Sequence, residues 1–105
     1  MEDTIFEVNT PLGFSVHCTR KYWKFIIEHK HPILCGKEQE VERTLADPDE
    51  VRRSRKDYNV LLFYRNWSPR WLCAVAKQED TSGFLITAYP ANVIKIGDLL
   101  WKKSK

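Results

Sequence analysis

The apolar positions change period several times along the chain. They alternate in part over Asp3 to Val8 (Ile5, Phe6, Val8) and over Phe14 to Cys18 (Phe14, Val16, Cys18), and the turn-forming stretch Asn9-Thr10-Pro11-Leu12-Gly13 separates the two. This predicts an N-terminal β-hairpin. From Thr19 the spacing becomes helical, with Tyr22, Trp23, Phe25, Ile26, Ile27 and His29 recurring at i, i+3, i+4 and i+7, and Thr19 suits the N-cap. Pro32 stops that helix. The clash before a proline disfavours the α region at His31, which places His31 at or just beyond the C-terminus. A second helix is predicted over Gly36 to Ala46, with Val41 and Leu45 as a thin apolar stripe, Glu38 and Glu40 at its positive end, and Asp47-Pro48-Asp49 as its stop. Three strand-like runs follow, Tyr58 to Arg65, Trp71 to Lys77 and Gly83 to Tyr89. Their connections, Asn66 to Arg70 and Gln78 to Gly83, are too short for a parallel crossover, so the strands read as an antiparallel meander. The tail carries one more apolar patch, Val93, Ile94, Ile96, Leu99, Leu100 and Trp101, and a basic end. The expected class is α+β: an N-terminal hairpin and two helices packed on a small antiparallel sheet with a three-stranded meander core.

Composition narrows the class without changing it. The chain has 105 residues, 43% of them hydrophobic and 30% charged, which suits a single domain over 1–105 that buries its own core. The longest apolar runs fall far short of the roughly 18 residues a spanning helix needs, so no membrane partner is expected. The first residues are acidic, unlike a basic and apolar leader, and Cys18, Cys35 and Cys73 are odd in number with no C-x-x-C pair. Both point to a reducing, cytoplasmic setting. The net charge of +3 is unevenly spread. Arg20, Lys21, Lys24 and Lys30 gather on the first helix against Glu28, and Arg52, Arg53, Arg55 and Lys56 follow the second, while Glu38, Glu40, Glu42, Asp47, Asp49 and Glu50 form an acidic block between them. These charges serve either as phosphate ligands on one basic face or as solvated, mutually paired side chains.

The most chemically suggestive stretch is His29-Lys30-His31-Pro32. Histidine transfers protons near neutral pH, and a helix C-terminus favours its cation. His31 is the better candidate, because His29 continues the apolar stripe of Tyr22, Phe25 and Ile26 and suits packing; His17, in the hairpin, ranks lower. Thr87 and Tyr89 share one face of the last strand, opposite Ile86 and Ala88, and can hydrogen-bond a phosphate, although both are also ordinary strand formers. Of Tyr64 and Arg65, at most one joins that face. Trp67 and Trp71 flank the first meander turn, where they either staple the hairpin or stack on bases. His29-x-His31 lacks a third ligand, so neither a metal nor another cofactor is expected. No nucleophile elbow, P-loop, dinucleotide fingerprint or H-E-x-x-H helix occurs, which disfavours serine hydrolases, P-loop enzymes and zincins.

The order of these segments resembles a known group. An aromatic-rich helix ends in Lys30-His31-Pro32; then come Val41-Glu42-Arg43-Thr44-Leu45-Ala46-Asp47-Pro48-Asp49-Glu50-Val51 and Ser54, three strands ending in Ile86-Thr87-Ala88-Tyr89, Ile94-Lys95-x-Gly97, and Trp101. Over Tyr22 to Trp101 the chain resembles small phage and bacterial domains of the barnase, EndoU, colicin and RelE-like nuclease superfamily, often toxins that cut RNA. The resemblance implies a metal-independent ribonuclease that acts by 2′-hydroxyl attack and leaves a 2′,3′-cyclic phosphate. His31 would be its base or acid, with Thr87 and Tyr89 contacting the phosphate. Lys30 and Arg53 would neutralise it, with Tyr64 as a further contact, and His29 would stand in for the histidine that related domains carry where this chain has Ile26. RNA, tRNA among them, and an acidic inhibitor protein would be the partners. The alternative is a non-catalytic nucleic-acid-binding or protein-interaction module with the same basic face.

Overall fold

The computed structural model describes residues 3–94 and 97–104; Lys95 and Ile96, singled out above, lie outside the described residues. Strand β1 (Thr4–Asn9) turns back into β2 (Ser15–Thr19) through a loop closed by Thr10. The Thr10 hydroxyl donates to the Phe14 carbonyl oxygen at 2.9 Å, and Gly13 takes the positive φ of 87° that the turn requires. Thr19 then caps helix α1 (Arg20–His29), its hydroxyl oxygen accepting from the Tyr22 N–H at 3.1 Å. The end of α1 is equally local. The N–H groups of Lys30 and His31 both donate to the Ile26 carbonyl, at 2.9 and 2.8 Å, and Pro32 opens a short 3-10 turn, Pro32–Leu34. His31 itself is outside the α region, at φ −141° and ψ 79°.

Helix α2 (Glu38–Ala46) precedes five strands: β3 (Glu50–Arg53), β4 (Val60–Trp67), β5 (Arg70–Glu79), β6 (Ser82–Ala91) and β7 (Asp98–Lys102). All seven strands form one sheet in the order β1-β2-β6-β5-β4-β3-β7. β2 runs parallel to β6, and every other neighbouring pair is antiparallel.

This overturns the expected small antiparallel sheet with a three-stranded core. The meander β4-β5-β6 is only the middle of a seven-stranded mixed sheet; the hairpin is its continuation on one side, and β3 and β7 extend it on the other. The reasons are local. Glu50-Val51-Arg52-Arg53 has a single apolar residue and no alternation, yet Val51 is fully buried, and the strand holds because β4 and β7 pair with both of its edges. The β5–β6 connection shrinks to Asp80-Thr81, with Asp80 in the left-handed region at φ 63°, so both strands run longer than their apolar patterns. Pro90 lies inside β6 because the outer edge of β6 has no strand beside it at that level.

The sheet is apolar on both faces. One face receives Ile26, Leu34, Val41 and Leu45 from the helical side against Phe63, Leu72, Ala74 and Ala88. The other carries Tyr64, Cys73, Val75 and Ala91, with Ile94 packed against them. Because β5, β4 and β3 separate β6 from β7, the chain after Ala91 has to cross the sheet, and Ile94 shows that it crosses on this second face. Trp67 packs on the first face and Trp71 on the second, so the two do not staple one another. No helix among the described residues is long and apolar enough to cross a membrane.

Two interactions hold this frame. Arg65 lies under α2: its Nε donates to the Thr44 hydroxyl oxygen at 3.1 Å, and its Nη2 donates to the Glu40 carbonyl oxygen and carboxylate at 3.1 and 2.8 Å. Thr44 is fully buried, and without the guanidinium its hydroxyl keeps only the 2.8 Å bond it donates to the Glu40 carbonyl oxygen. Arg65→Met should therefore lower stability by about 1.5–3 kcal/mol in a denaturant titration. At the parallel join, an alanine at Gly83 would drive its Cβ into the Lys77 carbonyl oxygen and to within 3.1 Å of the Phe14 ring. Gly83→Ala should cost about 1–3 kcal/mol by the same measurement.

Candidate functional site

The site forms where β2 and β6 part. They pair only over Ser15–His17 and Ser82–Phe84; beyond that α1, not a strand, runs beside the outer edge of β6. The register between β5 and β6 also shifts there, with Val75 opposite Thr87 and Ala76 opposite Leu85, so Ile86 bulges out unpaired. Its carbonyl oxygen accepts from the Tyr22 hydroxyl at 2.7 Å and from the Lys30 ammonium at 3.5 Å. The bulge also turns the Ile86 side chain toward the second face of the sheet, the face of Tyr89, where simple alternation would put it on the opposite one.

His31 reaches the same edge one step along. Its ring meets that of Tyr89, with centroids 5.5 Å apart at 36°. Burial, and next the charge of Lys30, hold the His31 imidazole below the usual histidine pKa. The expectation that a helix C-terminus would favour the cation is thus reversed, because desolvation and a like charge both oppose it. Register places Tyr89, Cys73 and Tyr64 in one row across β6, β5 and β4. Burial raises the Tyr89 hydroxyl well above its ordinary pKa, and its hydrogen bonds with Cys73 and Tyr64 act in the same direction. Tyr89 therefore keeps its proton. Tyr64 is fully buried, so it supports Tyr89 from below and does not line the surface. Thr87 lies two residues before Tyr89, and its hydroxyl oxygen is buried without a hydrogen-bond partner among the described residues.

The other expected members are elsewhere. Arg53 is on β3, three strand spacings from β6, or roughly 14 Å across the sheet. It falls in register with Leu61, Ala76 and Leu85 of the first face, and its guanidinium lies 3.9 Å from the Tyr58 ring centroid. His29 points along the outer side of α1, its ring 5.1 Å from that of Phe25. Sequence reasoning passed over Tyr22 and Cys73. Tyr22 was visible in the stripe with Phe25 and His29, but the bonding of Cys73 to Tyr89 depends on strand register.

Electrostatics separates the two basic clusters. Arg52 pairs with Glu50, Arg55 with Asp98 at 3.6 Å and Arg20 with Asp3 at 2.6 Å. Lys21, Lys24 and Lys30 form no ion pair among the described residues, which leaves α1 as the side with uncompensated cations next to His31. The acidic block is largely spent inside the molecule, Glu40 on Arg65 and Asp47 on Lys103. Among the described residues no group of three His, Cys, Asp or Glu converges as a metal site. No known protein family, curated protein or solved structure matches this chain.

The lowered His31 pKa carries a sign that can be checked. As pH falls below the ordinary histidine value of about 6.5, the unfolded chain takes up the proton first, so the contribution of His31 makes folding less favourable toward acid. In an NMR titration His31 should show its midpoint below that of a free histidine, and Lys30→Met should move that midpoint upward.

Proposed function

We propose that this chain is a metal-independent ribonuclease-like domain whose site is the β6 edge occupied by Lys30, His31, Thr87 and Tyr89. The observation that carries the reading is an imidazole of lowered pKa held against the Tyr89 ring, beside a lysine with no carboxylate partner among the described residues. Phosphodiester cleavage by an internal nucleophile needs a base active near neutral pH and a cationic, hydrogen-bonding lining for the charge that develops on phosphorus. In this scheme His31 removes the proton of the ribose 2′-hydroxyl. That oxygen attacks phosphorus, the bond to the 5′-oxygen breaks, and the leaving oxygen takes a proton from solvent, giving a 2′,3′-cyclic phosphate and a 5′-hydroxyl. Lys30 balances the non-bridging oxygens, and the Tyr89 ring, whose hydroxyl is bonded to Cys73 and Tyr64, positions the His31 imidazole. The Thr87 hydroxyl is buried, like Tyr64, and makes no contact with phosphate in this scheme. Lys21 and Lys24 extend the basic surface along α1 for neighbouring phosphates of the RNA, and an acidic inhibitor protein would cover the same surface. Arg53 and His29 have no part in the chemistry of this scheme.

The test is incubation of the purified chain, with EDTA present, against total tRNA and a mixed RNA oligonucleotide, followed by analysis of fragment ends. Cleavage to 2′,3′-cyclic phosphate ends is expected, and His31→Ala should slow it at least about 100-fold while leaving RNA affinity nearly unchanged. If RNA is bound in a salt-sensitive manner but not cut, the chain is a nucleic-acid-binding module and the catalytic scheme is wrong.

A further inference from the structure

Beside the β6 edge, the divergence of β2 and α1 from β6 opens a pocket of about 450 Å³. Its walls come from three elements: His17 on β2, Lys21, Tyr22 and Phe25 on α1, and Phe84 on β6. The pocket exists for the same reason as the site. Pairing between β2 and β6 ends at His17 and Phe84, and the chain then needs Thr19 as the cap of a helix, so the two backbones separate faster than side chains fill the gap.

The lining is unusual for a surface that merely solvates a helix. Phe25 is 44% exposed, and its ring closes one side of the pocket while touching Tyr22 at a centroid distance of 5.8 Å. Phe84, from β6, also lines the pocket. A pocket lined by two phenylalanines, a lysine and an imidazole suits a flat, aromatic, anionic ligand. Apolar faces stack on the rings, while Lys21 and His17 offer a cation and a hydrogen-bonding edge. The slot also joins the proposed catalytic edge. The Lys30 ammonium lies 5.8 Å from the Phe25 ring centroid and 3.5 Å from the Ile86 carbonyl oxygen, and Tyr22 borders the pocket while its hydroxyl binds that same carbonyl. A phosphate held at Lys30 is thus separated from the Phe25 ring by a span comparable to that between a nucleotide's phosphate and its own base.

We infer that the pocket formed by His17, Lys21, Phe25 and Phe84 is a nucleobase subsite, holding by stacking the base of the nucleotide whose phosphate lies at Lys30. The inference rests on the ribonuclease reading for its substrate class, but it assigns a separate set of residues, none of which takes part in proton transfer. It implies that short RNA is recognised by at least one stacked base and not by its sugar-phosphate chain alone.

The experiment uses the full chain carrying His31→Ala, so that binding is read without turnover. Backbone amide NMR spectra are recorded during titration with uridine 3′-monophosphate, adenosine 3′-monophosphate and, as a probe without a base, ribose 5-phosphate. Both nucleotides should shift the amides of His17, Phe25 and Phe84 and bind at least tenfold more tightly than ribose 5-phosphate. Phe25→Ala, at an exposed position, should bring nucleotide affinity down to the ribose phosphate level, and Phe84→Ala gives a second reading from β6. The subsite is overturned if ribose 5-phosphate binds as tightly as the nucleotides, if shifts are confined to Lys30 and His31, if no nucleotide binds, or if Phe25→Ala leaves affinity unchanged. The two proposals fail separately: nucleotides that fill the pocket of a chain unable to cut RNA leave the subsite standing and remove the catalytic scheme, and RNA cleavage with an empty pocket does the reverse.

Discussion

The three-residue parallel pairing between Ser15–His17 and Ser82–Phe84 is the constraint on which the rest of the structure depends. It attaches the N-terminal hairpin to the central meander, and because it stops so soon it leaves most of the β6 outer edge without a strand. Backbone groups on an open edge need other partners or water. At Ile86 the Tyr22 hydroxyl and the Lys30 ammonium supply them, which draws α1 along the edge and brings His31 to Tyr89. Gly83 permits the close approach that starts this arrangement, and the bulge at Ile86 turns the last part of β6 so that its carbonyl faces the helix.

Charge is distributed to suit that geometry. The arginines after α2 are engaged by Glu50, Asp98 and the Tyr58 ring, so the cluster densest in the amino-acid sequence has little charge to offer a ligand. Lys21, Lys24 and Lys30 form no ion pair among the described residues, and Lys30 adjoins His31, whose pKa is lowered. Burial lowers the His31 pKa, and the charge of Lys30 lowers it further. The Tyr64–Cys73–Tyr89 row provides a buried polar floor that fixes the ring against which His31 rests.

Much of the local structure was legible without coordinates. Thr19 as a cap, Pro32 as a stop and the place of His31 just beyond the helix follow from steric and hydrogen-bonding rules that act over four or five residues, and they recur in the folded chain. The strands β3 and β7 were not legible. Glu50-Val51-Arg52-Arg53 has no period-two pattern because only Val51 faces a core, and Arg52 is held by Glu50 and the Gly97 carbonyl, groups that no short window contains together. The two basic clusters looked equivalent along the chain and differ only in what the fold places opposite them.

The sequence by itself determined the two helices, the central hairpins and the pairing of histidine with lysine ahead of a proline, because each depends on neighbours a few residues away. The tertiary structure alone decided that the sheet has seven strands, that Tyr89 and not Arg53 stands beside His31, and that burial lowers the pKa of the imidazole there. Those outcomes depend on strand register, on a one-residue bulge and on desolvation, which arise between segments that are not neighbours along the chain.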